Sequence, residues 1–352
     1  MSPIKIGNIQ IEHPFTQAAL SGYSDLPMRR IARRYGASYT LNEVVLDKMV
    51  LQKGKGQKRI LAQIEPQDQP VGGQLMGSDP DQFAPAARLL ADAGYNVIDI
   101  NFGCPVRKVL GRCRGGFLLS QPEQALDIVR RVVDAVAADV PVTVKMRRGL
   151  DDTPESERNF FAILDGAFEA GVSGVTVHGR TVEQRYIGPS RWEFLTKVKR
   201  HVGDGLVFGS GDLFTAQSCI DMMNETGVDG VTVARGAIGN PWIFGECVAL
   251  ATNQPLPDPP GITEQRECIE AHFAESRAHH GDGLAGRLMR KFGIKYSELH
   301  PCKKDVRDAF IAVKTPDDFL EVMNVWYDKN KDWPPVTRHD GKGDLVAAGA
   351  MS

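Results

Sequence analysis

Eight short apolar runs, each followed by a longer amphipathic run, predict a TIM (β/α)8 barrel followed by a small all-helical C-terminal domain. Three observations carry this expectation. The alternation runs from residue 14 to about 250, close to the ~250 residues that such a barrel needs. The turn after the first run, Ser21-Gly22-Tyr23-Ser24-Asp25, is not the GxGxxG that the rival doubly wound sheet would place there. Past the barrel, a proline-rich break from Pro255 to Gly261 precedes residues with helical periodicity only.

The elements follow in order. Ile4–Ile6 and Ile9–Ile11, around Gly7-Asn8, predict a hairpin that plugs the lower end of the barrel. Strands are expected at Phe15–Leu20, Ser38–Leu41, Pro70–Leu75, Val97–Ile100, Val142–Met146, Gly174–His178, Leu206–Gly209 and Gly230–Ala234. Between them, helices are expected at Leu26–Tyr35, Pro80–Ala93, Gln121–Ala137, Glu155–Ala170, Arg191–His201, Ala216–Thr226 and Asn240–Ala251. Gly36, Gly94, Gly171 and Gly227 supply the left-handed stops that end helices. The domains expected are 1–252 for the barrel and 262–332 for the helical domain. Residues 333–352 have little to bury and are expected to form a disordered tail.

Composition bounds the class. With 42% hydrophobic residues the chain can bury a sizeable core, and no stretch approaches the ~20 apolar residues that cross a bilayer. Met1 to Ile11 alternates apolar and polar residues instead of forming a signal-peptide core, which points to the cytoplasm. The six cysteines form no CxxC pair, so neither a disulfide framework nor a metal site is expected. A net charge of −2 leaves only local basic groups, among them Arg107, Lys108, Arg112 and Arg114, and Arg287, Arg290, Lys291 and Lys295. Each group alone reads as a solvated face unless the fold gathers them on one side.

Barrel enzymes carry their chemistry at the C-terminal ends of the strands. Here those ends hold Ala19-Leu20-Ser21, Asn42-Glu43, Gln74, Asn101 and Cys104, Lys145 and Arg147, His178 and Arg180, Ser210-Gly211-Asp212, and Ala234-Arg235-Gly236. The last two, rich in glycine, suit a phosphate held on backbone N–H groups, with Arg235 adding charge; two tight turns without a ligand are the alternative. Lys145 at a barrel mouth needs a partner, either an ion pair with Asp99 or Glu43 or an anion such as the N1–O2 edge of a reduced flavin. Cys104, in Gly103-Cys104-Pro105, projects from a sharp turn and is either structural or a proton donor, its ordinary pKa of about 8.5 keeping it protonated at neutral pH.

The run DINFGCP with its downstream Gly115-Gly116-Phe117-Leu118-Leu119 resembles the signature of the tRNA-dihydrouridine synthases. ALSGYSDLPMR, GGQLMGSDP, VTVKMRRG, VTVHGRT, SGDL and VARGAIGNPWIF match in the same order, and the resemblance covers residues 1 to about 330. It implies an FMN-bearing barrel whose helical domain helps to hold tRNA, with NADPH reducing the flavin. The flavin would pass hydride to carbon 6 of a flipped-out uridine and Cys104 would protonate carbon 5. FMN would lie on Ala19, Leu20, Ser21, Gln74, Lys145, His178, Ser210, Gly211, Asp212, Ala234 and Arg235. Asn101 and Arg147 would lie near the uracil, with Arg107, Lys108, Arg287, Arg290 and Lys291 meeting the RNA on one groove. Ala19-Leu20, Ser210 and Ala234 depart from the family's usual Pro-Met, Asn and Gly, which implies altered FMN affinity rather than lost function. No metal and no protein partner are implied, and a monomer is expected. Two alternatives stay open: an FMN barrel acting on a free pyrimidine or dihydroorotate, and a non-catalytic RNA-binding scaffold.

Overall fold

The computed structural model describes residues 3–338. It opens on β1 (Ile4–Ile6) and β2 (Ile9–Ile11), an antiparallel pair. The barrel strands are β3 (Phe15–Gln17), β4 (Tyr39–Leu41), β5 (Val45–Leu46), β6 (Val71–Met76), β7 (Val97–Phe102), β8 (Val142–Arg147), β9 (Gly174–His178), β10 (Val207–Ser210) and β11 (Gly230–Val233). All pair in parallel, and β3 pairs with both β4 and β11 while β4 pairs with β6. The ring therefore closes on eight strands, with the two-residue β5 prolonging the β4 edge along β6.

Alternation decides what lines the axis. Thr16, Asp99, Thr143, Thr176, Phe208 and Thr232 face inward in the lower half beside Tyr39 and Leu41, and Ile6 of the hairpin closes that end, as expected. Two residues further along each strand, the same parity brings Gln74, Asn101, Lys145, His178 and Ser210 to the axis near the mouth. The opposite parity, including Ile98, Ile100, Phe102, Val144, Val175 and Val177, is buried in the core cluster formed with the surrounding helices.

Those helices are α1 (Leu26–Arg34), α2 (Asp47–Leu51), α3 (Lys55–Leu61), α4 (Pro80–Asp92), α5 (Arg107–Leu110), α6 (Pro122–Ala135), α7 (Pro154–Glu169), α8 (Trp192–Val202), α9 (Ala216–Thr226) and α10 (Ile243–Ala251). Asp25, Asp79, Thr153 and Thr215 cap α1, α4, α7 and α9 through side-chain oxygens, satisfying N–H groups the helix cannot. One expectation needs correction. The stretch between β4 and β6 holds β5, α2 and α3, hidden in the sequence because Lys53-Gly54-Lys55-Gly56 breaks any apolar period; buried Val50 and Ile60 anchor it. The basic segment after Cys104 forms α5 and a 3-10 turn at Gly115–Ser120, where Leu118 and Leu119 are fully buried.

The C-terminal helices are α11 (Ile262–His280), α12 (Asp282–Tyr296), α13 (Lys303–Ala312) and α14 (Pro316–Trp326), packed around Phe273, Met289, Phe292, Phe310, Phe319 and Met323. They dock on the first βα unit: His280 Nε2 lies 2.9 Å from Asp25 Oδ2, Arg30 pairs with Glu275 at 2.9 Å, and Tyr23 meets Phe292 edge-on at 5.5 Å. They also meet the last unit at Gly239, where a Cβ would stand 2.4 Å from the Lys295 carbonyl carbon. Disorder from Trp333 onward does not hold for residues 333–338. Trp333 Nε1 donates to Asp328 O at 2.9 Å, its ring packs on His300, and Arg338 pairs with Glu246. The rest of the expected tail, 339–352, lies outside the described residues.

Candidate active site

Cys104 sits in a turn that its neighbours hold from three sides. Asn101 Oδ1 accepts the N–H groups of Gly103 (2.9 Å) and Cys104 (3.1 Å), and Cys104 O accepts from Gly116 N at 3.1 Å. Arg147 Nε donates to Gly103 O at 3.0 Å, while its Nη1 donates to Thr181 O (2.8 Å) and Arg185 O (2.6 Å). Burial pushes the Cys104 thiol pKa up, more than the Val106 N–H, Arg147 and Lys145 draw it down. The group is therefore a thiol, not a thiolate, at neutral pH.

Lys145 and His178 stand inward beside it. Neither Asp99 nor Glu43 pairs with Lys145, and among the described residues its ammonium makes no hydrogen bond or ion pair. Burial, with help from Arg147, lowers its pKa to about 8 against the pull of Asp99 and Cys104. His178 Nδ1 accepts the Arg180 N–H at 3.1 Å, and burial with the nearby Arg147, Lys145 and Arg180 charges holds its pKa well below the ordinary value. A neutral ring with Nδ1 accepting must carry its proton on Nε2, so His178 is a donor.

The lysine carries a sign that can be measured. Between about pH 8 and the ordinary 10.5, the unfolded chain binds the proton that the folded flavin-free protein has released, so this residue's contribution to stability rises with pH over that window. Lys145→Met should therefore stabilise the flavin-free protein by about 2–4 kcal/mol at pH 7. Thermal denaturation should show that advantage fading as pH rises from 8 towards 10.5.

The seventh and eighth strand-end loops form a shelf. The N–H groups of Gly211 and Asp212 have no partner among the described residues. Asp212, at φ +59°, is held by Arg180, whose Nη2 donates to both carboxylate oxygens at 2.7 and 2.8 Å, and by Ser190 N at 2.8 Å. Arg180 also donates to Gly188 O, and Arg235 lies over the Tyr186 and Phe214 rings at 5.0 Å each with its Nη2 3.7 Å from Asp212. A Cβ on Gly236 would stand 2.1 Å from Leu213 O, so only glycine lets these two loops touch.

The expected residues thus gather at one mouth, with three changes of role. Leu20 N–H is taken by Ser24 Oγ at 2.8 Å, leaving Ala19 and Ser21 as the backbone groups of that loop open to a ligand. Arg147 is engaged on backbone carbonyls, so it braces the Cys104 turn. Lys291 does not stand on a free face: its Nζ bonds Gly22 O and lies 5.1 Å from the Tyr23 and Phe292 ring centres. Arg107, Lys108, Arg287 and Arg290 are exposed. The sequence offered Asp99 only as an alternative partner for Lys145 and gave Thr143 and Arg180 no role beyond position; two-residue parity from Asn101 and Lys145 was the available signal that Asp99 and Thr143 face the axis.

An inward ammonium and a shelf of N–H groups without partners among the described residues, with a histidine Nε2–H beside them, make a (β/α)8 barrel whose mouth suits an anionic ligand, the place where such barrels carry their chemistry. The dihydrouridine synthase model matches residues 16–331. The chain is 33% identical over 345 residues to tRNA-dihydrouridine synthase B of Pseudomonas putida, covering 97% of this chain and 99% of that protein. It is also 33% identical over 325 residues to a probable tRNA-dihydrouridine synthase of Rickettsia prowazekii, covering 92% and 97%. In fold it resembles the old yellow enzyme homologue of Zymomonas mobilis, with TM-score 0.53, 13% identity, and coverage of 73% of this chain and 93% of that one. A 2-naphthoyl-CoA reductase complex aligns with TM-score 0.55 and 13% identity over 72% of this chain and 52% of that one. The chain belongs to the dihydrouridine synthase family.

Proposed function

We propose that this protein reduces uridine in transfer RNA to 5,6-dihydrouridine, with FMN as its flavin, NADPH as the reductant and Cys104 as the acid. The carrying observation is the Cys104 thiol, its pKa raised by burial in a braced turn, beside an inward ammonium that has no hydrogen-bond or ion-pair partner among the described residues. The flavin, when bound, supplies the hydride that adds to carbon 6. Ala19 and Ser21 backbone, Gln74, Lys145, His178 and the Ser210–Asp212 and Ala234-Arg235 loops would hold it, Lys145 neutralising its anionic edge. The thiol proton goes to carbon 5, the C5–C6 double bond becomes single, and solvent restores the proton to sulfur.

The uridine must leave its stack to reach the mouth, at a cost of a few kcal/mol that phosphate contacts offset. Lys291 ties α12 to the loop after β3, and α5 follows directly from the Cys104 turn, so both basic segments belong to the mouth end of the barrel. We assign Arg107, Lys108, Arg287 and Arg290 to the RNA backbone, Asn101 to the uracil, and residues 262–332 to a tRNA-holding domain. A monomer in the cytoplasm is consistent with a tRNA substrate. Arg287→Ala and Arg290→Ala should each reduce the slope of log affinity against log salt by about 1 without changing which uridine is reduced; fluorescence binding titrations from low to high salt would show it.

The reading as a whole is tested by incubating unmodified tRNA with the protein and NADPH and mapping dihydrouridine by mass spectrometry. Product at a defined position supports it. A flavin-loaded protein that makes none on tRNA but oxidises or reduces a free pyrimidine would replace it.

A further inference from the structure

A line of hydrogen bonds runs under the mouth, and one residue at its buried end has no assigned part in the reaction. Thr143 Oγ1 lies 2.6 Å from Asp99 Oδ1, and Gln74 Nε2 donates to Asp99 Oδ2 at 2.7 Å. Asn101 Nδ2 donates to Gln74 Oε1 at 2.7 Å, and Asn101 Oδ1 accepts from the N–H groups of Gly103 and Cys104. Asp99 is 2% exposed and Gln74 1%. Resting on the function proposed above, we propose that Asp99 is a positioning residue for the reaction: through Gln74 and Asn101 it sets which way both amides face and thereby holds the Cys104 turn.

The reason lies in polarity. Burial pushes the Asp99 pKa up, and the bonds from Thr143 and Gln74 together with the Lys145 charge favour the ionised form against it. As a carboxylate Asp99 can only accept hydrogen bonds, so Gln74 turns its NH2 towards Asp99 and its oxygen towards Asn101. At the other end, two backbone N–H groups can only donate, so Asn101 must turn its oxygen to them and its NH2 towards Gln74. The two ends agree on one arrangement, and each amide is left with one N–H to offer a ligand at the mouth. Without an acceptor at position 99, Gln74 has a buried NH2 with no partner and gains by flipping. Its NH2 would then face that of Asn101, and the support of the Cys104 N–H would weaken.

Asp99→Leu removes both acceptor oxygens while keeping the branch at Cγ, with bulkier methyls in their place, whereas Asp99→Asn is isosteric and can keep the arrangement. Its oxygen still accepts from Gln74, its NH2 donates to Thr143 Oγ1, and that hydroxyl swings its own proton aside. With flavin reduced chemically by dithionite, tRNA should reoxidise the Asp99→Leu protein at least about tenfold more slowly than wild type, a loss typical of a disturbed polar network. The Asp99→Asn protein should stay within about threefold of wild type. Combined with Asn101→Ala, Asp99→Leu should add little further loss, because both act along one line.

A second readout needs neither flavin nor RNA. Alkylation of Cys104 against pH, followed on its own peptide by mass spectrometry, should shift to lower pH in Asp99→Leu, as a loosened turn exposes the thiol, and stay in place in Asp99→Asn. Should Asp99→Leu fail to fold, Asp99→Asn with Thr143→Val takes its role, since valine cannot accept the amide and the rescue should be lost. An asparagine variant as impaired as leucine would mean that charge, not bond polarity, matters, and would overturn the inference. So would losses from Asp99→Leu and Asn101→Ala that simply add. A wild-type protein that forms no dihydrouridine would count against the proposed function, while the alkylation profile still decides the role of Asp99.

Discussion

The Cys104→Ala protein is expected to fold, retain its flavin and form dihydrouridine about a hundred- to ten-thousand-fold more slowly, the range lost with a general acid. Its fold should survive because the turn is held through backbone atoms: Asn101 accepts the Gly103 and Cys104 N–H groups, and Gly116 donates to Cys104 O. Alanine keeps the Cβ that packs against Gly115, where an added Cβ would stand 2.8 Å away. What is lost is only the S–H. Because burial raises the thiol pKa, the acid stays protonated to higher pH than an ordinary thiol, so the alkaline fall in wild-type activity due to this group should come later than an exposed thiol would give. Mass-spectrometric counting of dihydrouridine beside the visible spectrum of the flavin separates loss of the acid from loss of the cofactor. A variant that stays yellow and remains as fast as wild type would remove Cys104 from the mechanism.

Arg180→Leu should destabilise the protein by about 3–5 kcal/mol, the cost of breaking a buried ion pair from one side. Arg180 is 1% exposed and joins Asp212 to Gly188 O, so it links the loops after β9 and β10. Its removal leaves the Asp212 carboxylate with the Ser190 N–H and a more distant Arg235. Asp212 holds positive φ beside the free Gly211 N–H, so the shelf should lose its shape and flavin affinity should fall with stability. Adding Asp212→Asn, which tolerates that backbone and carries no charge, should recover part of the stability. Urea unfolding of the single and double variants, with flavin release followed by fluorescence, would check both effects. Equal stability of wild type and Arg180→Leu would mean that the pair contributes nothing net.

Much of the barrel was legible because its signal is repetitive. Gly174–His178 and Ala216–Thr226 fall where the pattern places them, and other boundaries move by a few residues, as when β3 stops at Gln17 and the chain turns through Ser24. The part hidden from the pattern, α2 and α3, is short and rich in lysine and glycine, and is held by two buried apolar side chains, Val50 and Ile60. At the site, strand-end position alone brought Gln74, Asn101, Cys104, Lys145, His178 and the two glycine loops together. It could not say what each side chain would bond. Arg147 is held by three carbonyls from two loops, and Lys291 by a carbonyl 269 residues away. Spacing along one helix shows a stripe, but only the docked partner shows which members of the stripe are covered.

The helical domain also bears on how the barrel stays shut. The ring's first and last strands, β3 and β11, meet at a seam that no single βα unit spans, since their residues lie 215 or so apart in the chain. Asp25, Arg30 and Tyr23 beyond one side of that seam and Gly239 beyond the other are both gripped by α11 and α12. The appended helices thus act as a clasp across the seam. Opening the ring there and lifting the helices away become a single cooperative event, so the barrel and the C-terminal helices share one stability.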